Sequence, residues 1–321
     1  MNRKFHLTIL LLLCISFSLY SQSITDLKIK AGAKSTFGHT TYDIEFGDEF
    51  GKGYSQLKFP LCSIMPGAKV GFNLDLIKNW TLAISSDFYI NIINPYLPMI
   101  DQDWAQPYGF PKLLFSYTES DAELFNIVSH SLIGLNILET NDYIIYLNAG
   151  YRFQYIKQDI IGYEGWQLNF ETADTKKVAY DEIALLYTLT SHAIILGARL
   201  DFTYLFDWEM GLNYMFIFIG DTDDHLLRYK RSSSSGTGHG MHSSINAILW
   251  LGDKNKPMIP FISFEASLIY IWAPIKEVQE YLIDFPETPY DDTGTFSEEI
   301  DHTITSLQYD FGIYIGFPLG L

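Results

Sequence analysis

The sequence predicts an all-β fold, a ten-stranded antiparallel transmembrane β-barrel of the outer-membrane type with long extracellular loops. Three observations predict this class: long segments in which apolar and polar residues alternate, connections that are alternately short and long, and an N-terminus with the features of a secretory signal. Hydrophobic residues form 48% of the chain and aromatic residues 16%. This composition suits strands whose outer faces contact lipid.

Alternation with a period of two is clearest in two segments joined by a short connection near residue 205. In the first segment, one face carries the apolar set Ile194, Leu196, Ala198, Leu200, Phe202 and Tyr204. In the second, one face carries Trp208, Met210, Leu212, Tyr214, Phe216 and Phe218. Successive side chains of a strand point to opposite faces, so the pair predicts an antiparallel hairpin. The whole chain gives ten such strands, at about 24–38, 54–74, 79–96, 122–138, 143–158, 182–204, 207–221, 240–251, 257–273 and 303–319.

These predicted strands are long for a soluble β-sandwich, whose strands run about 5–6 residues. A secreted sandwich remains the alternative. Short connections at one end and long connections at the other are typical of an outer-membrane barrel, which must close because lipid cannot solvate a sheet edge. Both termini fall at the short-turn end, so we expect that end to be periplasmic. The long loops are then extracellular, near 39–53, 97–121, 159–181, 222–239 and 274–302.

Residues 1–21 have the composition of a cleaved signal peptide, which leaves 22–321 as a single barrel domain. Arg3 and Lys4 precede an apolar run that is too short to cross a membrane as a helix. Cys14 lies inside this run, but the residues before it are not the small ones that a lipoprotein signal requires. The sequence therefore predicts export to the outer membrane of a Gram-negative-type bacterium.

The net charge limits the classes of expected binding partner, and the cysteine content limits the possible disulfides. Removing the two basic residues of the signal leaves 19 basic against 38 acidic residues, a net charge of −19. Such an acidic protein is a poor nucleic-acid binder and attracts cationic ligands instead. The expected partners are outer-membrane lipid and cationic peptides or proteins. After cleavage Cys62 is the only cysteine, so no internal disulfide can form.

Two acidic stretches repeat one spacing. Asp101 and Asp103 lie two residues apart in "MIDQDWAQP", and Asp221, Asp223 and His225 repeat that spacing in "GDTDDHLLRYK". Residues at i and i+2 of an extended segment point the same way, so each set projects together. The stretches belong to the second and fourth long loops of one rim. We therefore expect Asp101 and His225 to face each other across the mouth of the barrel.

This arrangement suits activation of a water molecule. A carboxylate beside His225 orients the imidazole, and a water held between the two sets could be deprotonated and aimed at a peptide carbonyl. In that interpretation Asp101 acts from one wall, and His225, backed by Asp223, acts from the other. Solvated surface acids, or a partial Ca²⁺ loop in "DTDDH", are the alternatives that the residues alone leave open.

The chain resembles the omptin family of outer-membrane aspartyl-type proteases. The resemblance rests on "MIDQDW" at 99–104 and "DTDDH" at 221–225, and it is supported by "YSQLKF" at 54–59, "TESDAEL" at 118–124 and "NAGY" at 148–151. It implies that the catalytic pairs are Asp101 with Asp103 and Asp223 with His225. It further implies an endopeptidase that cleaves beside basic residues, needs no metal or other cofactor, forms no covalent intermediate and is activated by lipopolysaccharide.

The chain departs from the family pattern at two sites. The resemblance implies a substrate pocket with acids from two loops: Asp221 matches one, but Tyr42 takes the place of the other, with Asp43 beside it. We expect these three residues to bind substrate, with a looser preference for basic residues. Phe153 and Tyr155 occupy outward positions where the resemblance implies charged residues that contact lipopolysaccharide. Dependence on this activator is therefore expected to be weak or altered.

The other polar residues give weaker indications of function. His239 and His242 lack a third metal ligand, and Ser232–Ser235 with nearby glycines predicts a flexible loop. Arg152 and Arg199 face the lumen, where we expect them to pair with acids such as Asp87, Glu209, Glu265 or Asp310. A non-catalytic barrel, acting as an adhesin or a structural protein, is the second function class, and the four intact candidate catalytic residues favour the protease.

Overall fold

The computed structural model of the chain consists of one large antiparallel sheet. It describes residues 23–48, 51–77, 80–92, 95, 97–169, 172, 174–226, 229–254, 258–282 and 294–319. The predicted signal peptide, 1–21, lies outside these residues. Within the described part of the chain, no helix is long and apolar enough to cross a membrane.

The sheet contains twelve strands, each paired with its neighbours in antiparallel register, and it closes through a pairing between the first strand and the last. The strands are β1 (Ser23–Asp48), β2 (Gly51–Pro60), β3 (Ser63–Ile77), β4 (Trp80–Ile90), β5 (Leu97–Pro107), β6 (Leu113–Glu139), β7 (Tyr143–Leu168), β8 (Thr175–Tyr204), β9 (Phe206–His225), β10 (Lys230–Trp250), β11 (Phe261–Tyr281) and β12 (Gly294–Leu319). The predicted closed antiparallel barrel is confirmed.

The count of ten strands becomes twelve because two long strands are interrupted. β2 and β3 both pair with β1, one beyond the other, and β5 and β4 both pair with β6 in the same way. The wall therefore has ten positions, two of which hold a broken strand. Pro60, which has no N–H to donate, ends β2, and Pro95 lies within the second interruption.

The outer face carries a belt of exposed apolar side chains, whereas the inner face holds buried polar and charged side chains and, in another part, a cluster of buried apolar ones. Ile313 is 59% exposed and Leu212 is 56% exposed, although both lie within regular strands. A soluble protein would bury such side chains, whereas a lipid-facing barrel exposes them. The same outward pattern recurs around the barrel at Ile29, Phe88, Ile133, Leu147, Leu196, Met241, Phe264 and Phe311.

The segments predicted as long extracellular loops are largely strand, which corrects the sequence-based prediction. Beyond the belt, β1, β6–β12 and the pair β2–β5 continue as a hydrogen-bonded wall, here called the upper wall, formed by the described residues of 39–60, 97–121, 159–191, 219–238 and 274–306. Ser232–Ser235 was predicted as a flexible loop but lies in β10, paired with both β9 and β11. The alternation simply becomes less apolar where lipid no longer covers the outer face.

The buried arginines of the lumen contact partners other than those predicted. Arg199 pairs with Asp201 on its own strand at 2.8 Å, and Arg152 donates to Gln154 at 2.8 Å. Lysines from β1 and β3 reach the acids that were expected to pair with the arginines. These pairs are Lys34–Asp310 at 2.9 Å and Lys69–Glu265 at 3.5 Å.

Side-chain amides replace the backbone ladder at the two interruptions. Asn91 accepts a hydrogen bond from the Asn126 N–H at 2.6 Å through Oδ1 and donates through Nδ2 to the Leu124 carbonyl at 2.7 Å. Gln158 of β7 donates to the Pro60 carbonyl at 2.7 Å. Buried backbone groups that lack a strand partner need such contacts, so this buried amide layer connects the upper wall to the belt.

We expect Asn91→Ala to lower the free energy of unfolding by about 1–3 kcal/mol, because it removes the two buried hydrogen bonds that Asn91 makes to the backbone of β6. Denaturant titration of the folded protein in lipid vesicles measures this change. Asn141→Ala, in an exposed turn, is the control and should leave the unfolding midpoint in place. Equal stability of the two variants would contradict the role given to Asn91.

Candidate functional site

A cavity of about 220 Å³ in the upper wall brings together three of the four predicted catalytic residues. Asp101 and Asp103 line it from β5, and His225 lines it from β9. The cavity lies between the wall made by β2, β5 and β6 and the wall made by β7, β8 and β9. Its other lining residues include Leu57, Met99, Thr118, Ile160, Tyr163 and Leu185.

Strand alternation places the two aspartates on the same side. Asp101 and Asp103 point into the barrel, and the residue between them, Gln102, occupies the alternate position. Asp101 pairs across the sheet with Leu57 of β2 and Thr118 of β6, so it lies within a hydrogen-bonded ladder. The prediction that these carboxylates lie on a loop is therefore wrong, whereas their common direction is confirmed.

Asp223 supports His225 from behind. The His225 Nε2 atom lies 3.2 Å from Asp223 Oδ2, and the Asp223 side chain is buried while that of His225 is 21% exposed. Both residues lie in β9, two positions apart, so the strand itself sets their contact. The carboxylate fixes the orientation of the ring at the edge of the cavity.

A second, deeper cluster contains Asp221 and Tyr42. The Tyr42 hydroxyl donates to Glu277 Oε2 at 2.6 Å and lies 3.3 Å from Ser234 Oγ. The Tyr42 ring packs on the His302 ring with centroids 4.0 Å apart. Asp221 lies beside this cluster, because its charge acts on the Tyr42 hydroxyl. The structure therefore places Tyr42 and Asp221 together, as the sequence predicted.

Asp43 lies outside the cluster that contains Tyr42 and Asp221. It follows the inward-facing Tyr42 along β1, so its side chain points to the outer face of the wall, where it accepts a hydrogen bond from Gln56 Nε2 at 2.6 Å. The expectation that Asp43 joins Tyr42 and Asp221 in one pocket is corrected by this placement. A one-residue step along a strand reverses the face, and a loop was assumed where the structure has a strand.

Burial dominates the electrostatics of the deeper cluster. Together with the charges of Asp223 and Glu277, it raises the pKa of Asp221 to about 7, although hydrogen bonds from Ser234 and Tyr42 act to lower it. Burial also raises the pKa of Tyr42 and lowers the pKa of His302 to about 4. Burial alone would raise the pKa of Glu277, but hydrogen bonds, first among them that from Tyr42, outweigh it and lower this pKa. The cluster thus holds one stable carboxylate, a neutral imidazole and one carboxyl group near its titration point.

The sequence analysis missed Glu277 and His302 because both fell in a segment predicted as a loop. Alternation through β11 would have found Glu277, since Ile271, Ala273 and Ile275 are its inward predecessors. Tyr187 was missed for another reason: an aromatic residue within a strand predicts packing. It is stacked on Phe59 with ring centroids 4.2 Å apart, in the interior between the two clusters.

The remaining histidines serve other contacts. His239 forms a hydrogen bond with Tyr214 on the outer face, and the His242 ring lies 5.3 Å from that of His130 in the lumen. Among the residues that the structure describes, no group of three or more His, Cys, Asp or Glu side chains is arranged to hold a metal ion.

The raised pKa of Asp221 makes stability depend on pH. The folded protein keeps this proton up to a pH near 7, whereas the unfolded chain loses it near pH 4, so stability falls as pH rises through that window. Asp221→Asn has no carboxyl proton to lose, so it removes this fall in stability with rising pH. We expect the gain in free energy of unfolding to be larger at pH 8 than at pH 4 by about 1–4 kcal/mol.

Denaturant unfolding of wild type and variant at both pH values measures this difference. Asp301→Asn, an exposed site on β12, is the control. A gain for Asp221→Asn that is the same at pH 4 and pH 8 would show that Asp221 titrates normally.

Comparison with known proteins supports the fold. No protein-family model and no curated protein sequence matches the chain. Among solved structures, it is similar to the outer membrane protease OmpT from Escherichia coli, with a TM-score of 0.72 and 14% identity over 92% of this chain and 98% of that one. The outer membrane protein OprG from Pseudomonas aeruginosa is far less similar, with a TM-score of 0.34 and 8% identity over 92% and 97% of the two chains. This chain thus has the fold of an outer-membrane β-barrel, and the likeness to OmpT supports an omptin-like architecture.

Proposed function

We propose that this protein is an outer-membrane endopeptidase that hydrolyses peptide bonds next to basic residues with a water molecule activated between Asp101–Asp103 and Asp223–His225. The observation that carries the proposal is the cavity that Asp101, Asp103 and His225 share, with Asp223 bonded to the back of the imidazole. The likeness in fold to an outer-membrane protease supports it.

The chemistry follows from the geometry of the two walls. With Nε2 held by Asp223, Nδ1 is the imidazole nitrogen left to take a proton from water, and the Asp223 carboxylate stabilises the resulting cation. Asp101 holds the same water by accepting its second hydrogen, and Asp103 keeps the local field negative. The hydroxide adds to the peptide carbonyl, and the imidazolium returns its proton to the leaving amine. No bond forms between protein and substrate.

The location follows from the belt and the upper wall. The apolar belt matches a lipid bilayer, and the cavity lies on the side opposite the short turns of the barrel. In the outer membrane of a Gram-negative-type bacterium, short turns face the periplasm, so this cavity faces the exterior. Substrates are then extracellular peptides and proteins, and a strongly acidic protein favours cationic ones.

We expect Asp101→Asn to reduce kcat/KM for a basic peptide by about 10²–10⁴-fold, because the amide cannot accept the hydrogen bond of the attacking water in the same way. Cleavage of an internally quenched peptide by refolded protein measures the effect. Glu119→Gln is the matched control, since Glu119 is exposed and points outward from β6 at the same rim. Hydrolysis that survives in Asp101→Asn would refute the mechanism, and a wild type inactive on every peptide would favour an adhesin or structural barrel.

Lipopolysaccharide is expected to change the activity little. The outward positions Phe153 and Tyr155 contact aromatic neighbours: the ring centroid of Phe153 lies 5.2 Å from that of His192, and that of Tyr155 lies 6.3 Å from that of Phe125. These contacts suit acyl chains more than a charged head group. Rates in phospholipid vesicles with and without lipopolysaccharide measure the dependence. Full dependence that is lost on Phe153→Ala would contradict this expectation.

A further inference from the structure

The proposed hydrolysis needs a group that the four candidate catalytic residues do not supply. When hydroxide adds to the peptide carbonyl, the carbonyl oxygen gains negative charge, and hydrogen-bond donors aimed at that oxygen lower the barrier. Asp101 and Asp103 are acceptors when ionised, and they repel a second negative charge. In the described part of the chain, no lysine or arginine lines the cavity. We therefore looked for a neutral donor on its walls.

Neutral side-chain donors line the cavity from two neighbouring strands, β6 and β7. They are Ser116, Thr118, Ser120, Tyr163 and Gln167. The β6 hydroxyls adjoin the strand that carries the aspartates, and Thr118 pairs directly with Asp101. A hydroxyl beside a carboxylate is drawn to that strong acceptor, so the carbonyl oxygen is left to donors on β7. Gln167 is exposed near the rim, whereas Tyr163 lies deeper on the same strand.

The order of the strands places Tyr163 midway between the two walls of the candidate site. β6 separates β7 from the strand of Asp101 on one side, and β8 separates it from the strand of His225 on the other. Neighbouring strands lie about 4.8 Å apart, so β7 is roughly 10 Å along the wall from either strand. A tyrosine at this place reaches toward the space between Asp101 and His225, where the peptide carbonyl would lie.

A β-bulge just before Tyr163 sets the direction of its side chain. The register of β7 shifts here against both neighbouring strands, and Gly162 has a left-handed φ of 62°. A Cβ atom on Gly162 would lie 2.8 Å from the Tyr180 carbonyl oxygen, so a larger residue would strain this bend. Below the bulge the inward face of β7 includes Ile160, and above it the cavity is lined by Tyr163. The extra residue thus turns Tyr163 inward, as bulges beside active sites commonly do.

The ring of Tyr180 holds the ring of Tyr163 in place. The two residues pair across the β7–β8 ladder, and their rings are stacked with centroids 5.7 Å apart and planes inclined by 22°. The Tyr180 hydroxyl donates to Glu182 at 3.2 Å, and Tyr180 does not line the cavity. Tyr163 is therefore fixed by its backbone and by its neighbour. A donor that is already in place stabilises developing charge without a cost of reorganisation.

We propose that Tyr163 is a further catalytic residue, whose hydroxyl donates a hydrogen bond to the peptide carbonyl oxygen during hydrolysis. As the bond from the water oxygen to the carbonyl carbon forms, the π electron pair moves to the carbonyl oxygen. That pair returns when the C–N bond breaks and the amine takes the proton from the imidazolium. Tyr163 keeps its own proton throughout, and Gly162 is a positioning residue. The inference rests on the proposed function and adds β7 to the strands that carry the chemistry.

Steady-state cleavage of the quenched peptide tests the role of the hydroxyl. We expect Tyr163→Phe to lower kcat by about 10²–10³-fold with little change in KM, because the hydrogen bond strengthens only in the transition state. Tyr117→Phe is the matched control, since the Tyr117 hydroxyl bonds to Glu119 on the outer face of the same wall. An unchanged kcat in Tyr163→Phe overturns the inference, as does an equal loss in Tyr117→Phe. Heat-dependent mobility on gels confirms that each variant is folded.

A non-cleavable peptide with a phosphinic group in place of the scissile amide gives a second measurement. One of its charged oxygens takes the position of the carbonyl oxygen in the tetrahedral intermediate. Tyr163→Phe should therefore weaken its binding by about the same factor as it lowers kcat/KM. A lower kcat with unchanged affinity for this peptide would show that Tyr163 does not contact the oxyanion, which overturns the proposed role.

The positioning role of Gly162 is tested in two backgrounds. Gly162→Ala should lower kcat in wild type, because it moves Tyr163, but it should lower kcat little further in Tyr163→Phe. Equal losses in the two backgrounds would show that Gly162 supports only the fold.

The kinetics also separate this inference from the proposed function. A wild type that cleaves no peptide overturns both. An active wild type that loses activity in Asp101→Asn but not in Tyr163→Phe overturns only the role of Tyr163.

Discussion

Closure of the sheet between β1 and β12 is the constraint on which the rest of the molecule depends. The register runs without a shift from Leu27 opposite Leu319 to Ile44 opposite His302. In lipid, a backbone N–H or carbonyl without a partner is too unfavourable to persist, so the belt has to be a closed ladder. A closed ladder fixes which face each side chain takes, because alternation cannot slip without exposing polar groups to lipid.

The same ladder builds the candidate site, because the strands continue above the belt without losing their alternation. On the inward face of β9, the packing residues Ile217 and Ile219 are followed towards the rim by the acids Asp221 and Asp223. Register then aligns residues that are far apart in sequence, such as Asp221 and Glu277 on either side of Ser234. Burying these acids lowers stability, and a structure that retains such strain commonly uses it at a functional site.

How much of the structure could be predicted from the sequence depended on the difference in polarity between the two faces of each strand. Within the belt, lipid makes the outward residues apolar, so the alternation of segments such as 194–218 predicted strands correctly. Above the belt both faces are mixed, and Ser232–Ser235 looked like a loop although it is strand. The i and i+2 spacing of Asp101 with Asp103 survived this error, since it needs only an extended backbone. The predicted placement of Asp43 was wrong, because the direction of its side chain could be predicted only if β1 was known to continue above the belt.

Interactions between distant strands were beyond the sequence. Glu277 gains its place through a tyrosine on β1 that is 235 residues away in the chain, and no local pattern indicates that pairing. The prediction of arginine–acid pairs in the lumen was wrong for a similar reason. Lys34 and Lys69 reach the acids first, and Arg199 uses Asp201 on its own strand. A sequence pattern gives the face of a side chain but not its neighbour across the barrel.

The two strand interruptions show how the walls of the candidate site are held. β2 and β5 carry one wall of the cavity, and they are separated from β3 and β4 at the top of the belt. Their position depends on backbone pairing with β1 and β6 and on the buried amide layer, in which Asn91 bonds to β6 and Gln158 bonds to Pro60. Amide groups both donate and accept and do not titrate, so this connection stays the same when the acids above it gain or lose protons. In the proposed mechanism, proton transfer at Asp101 and His225 thus takes place between walls whose connection does not titrate.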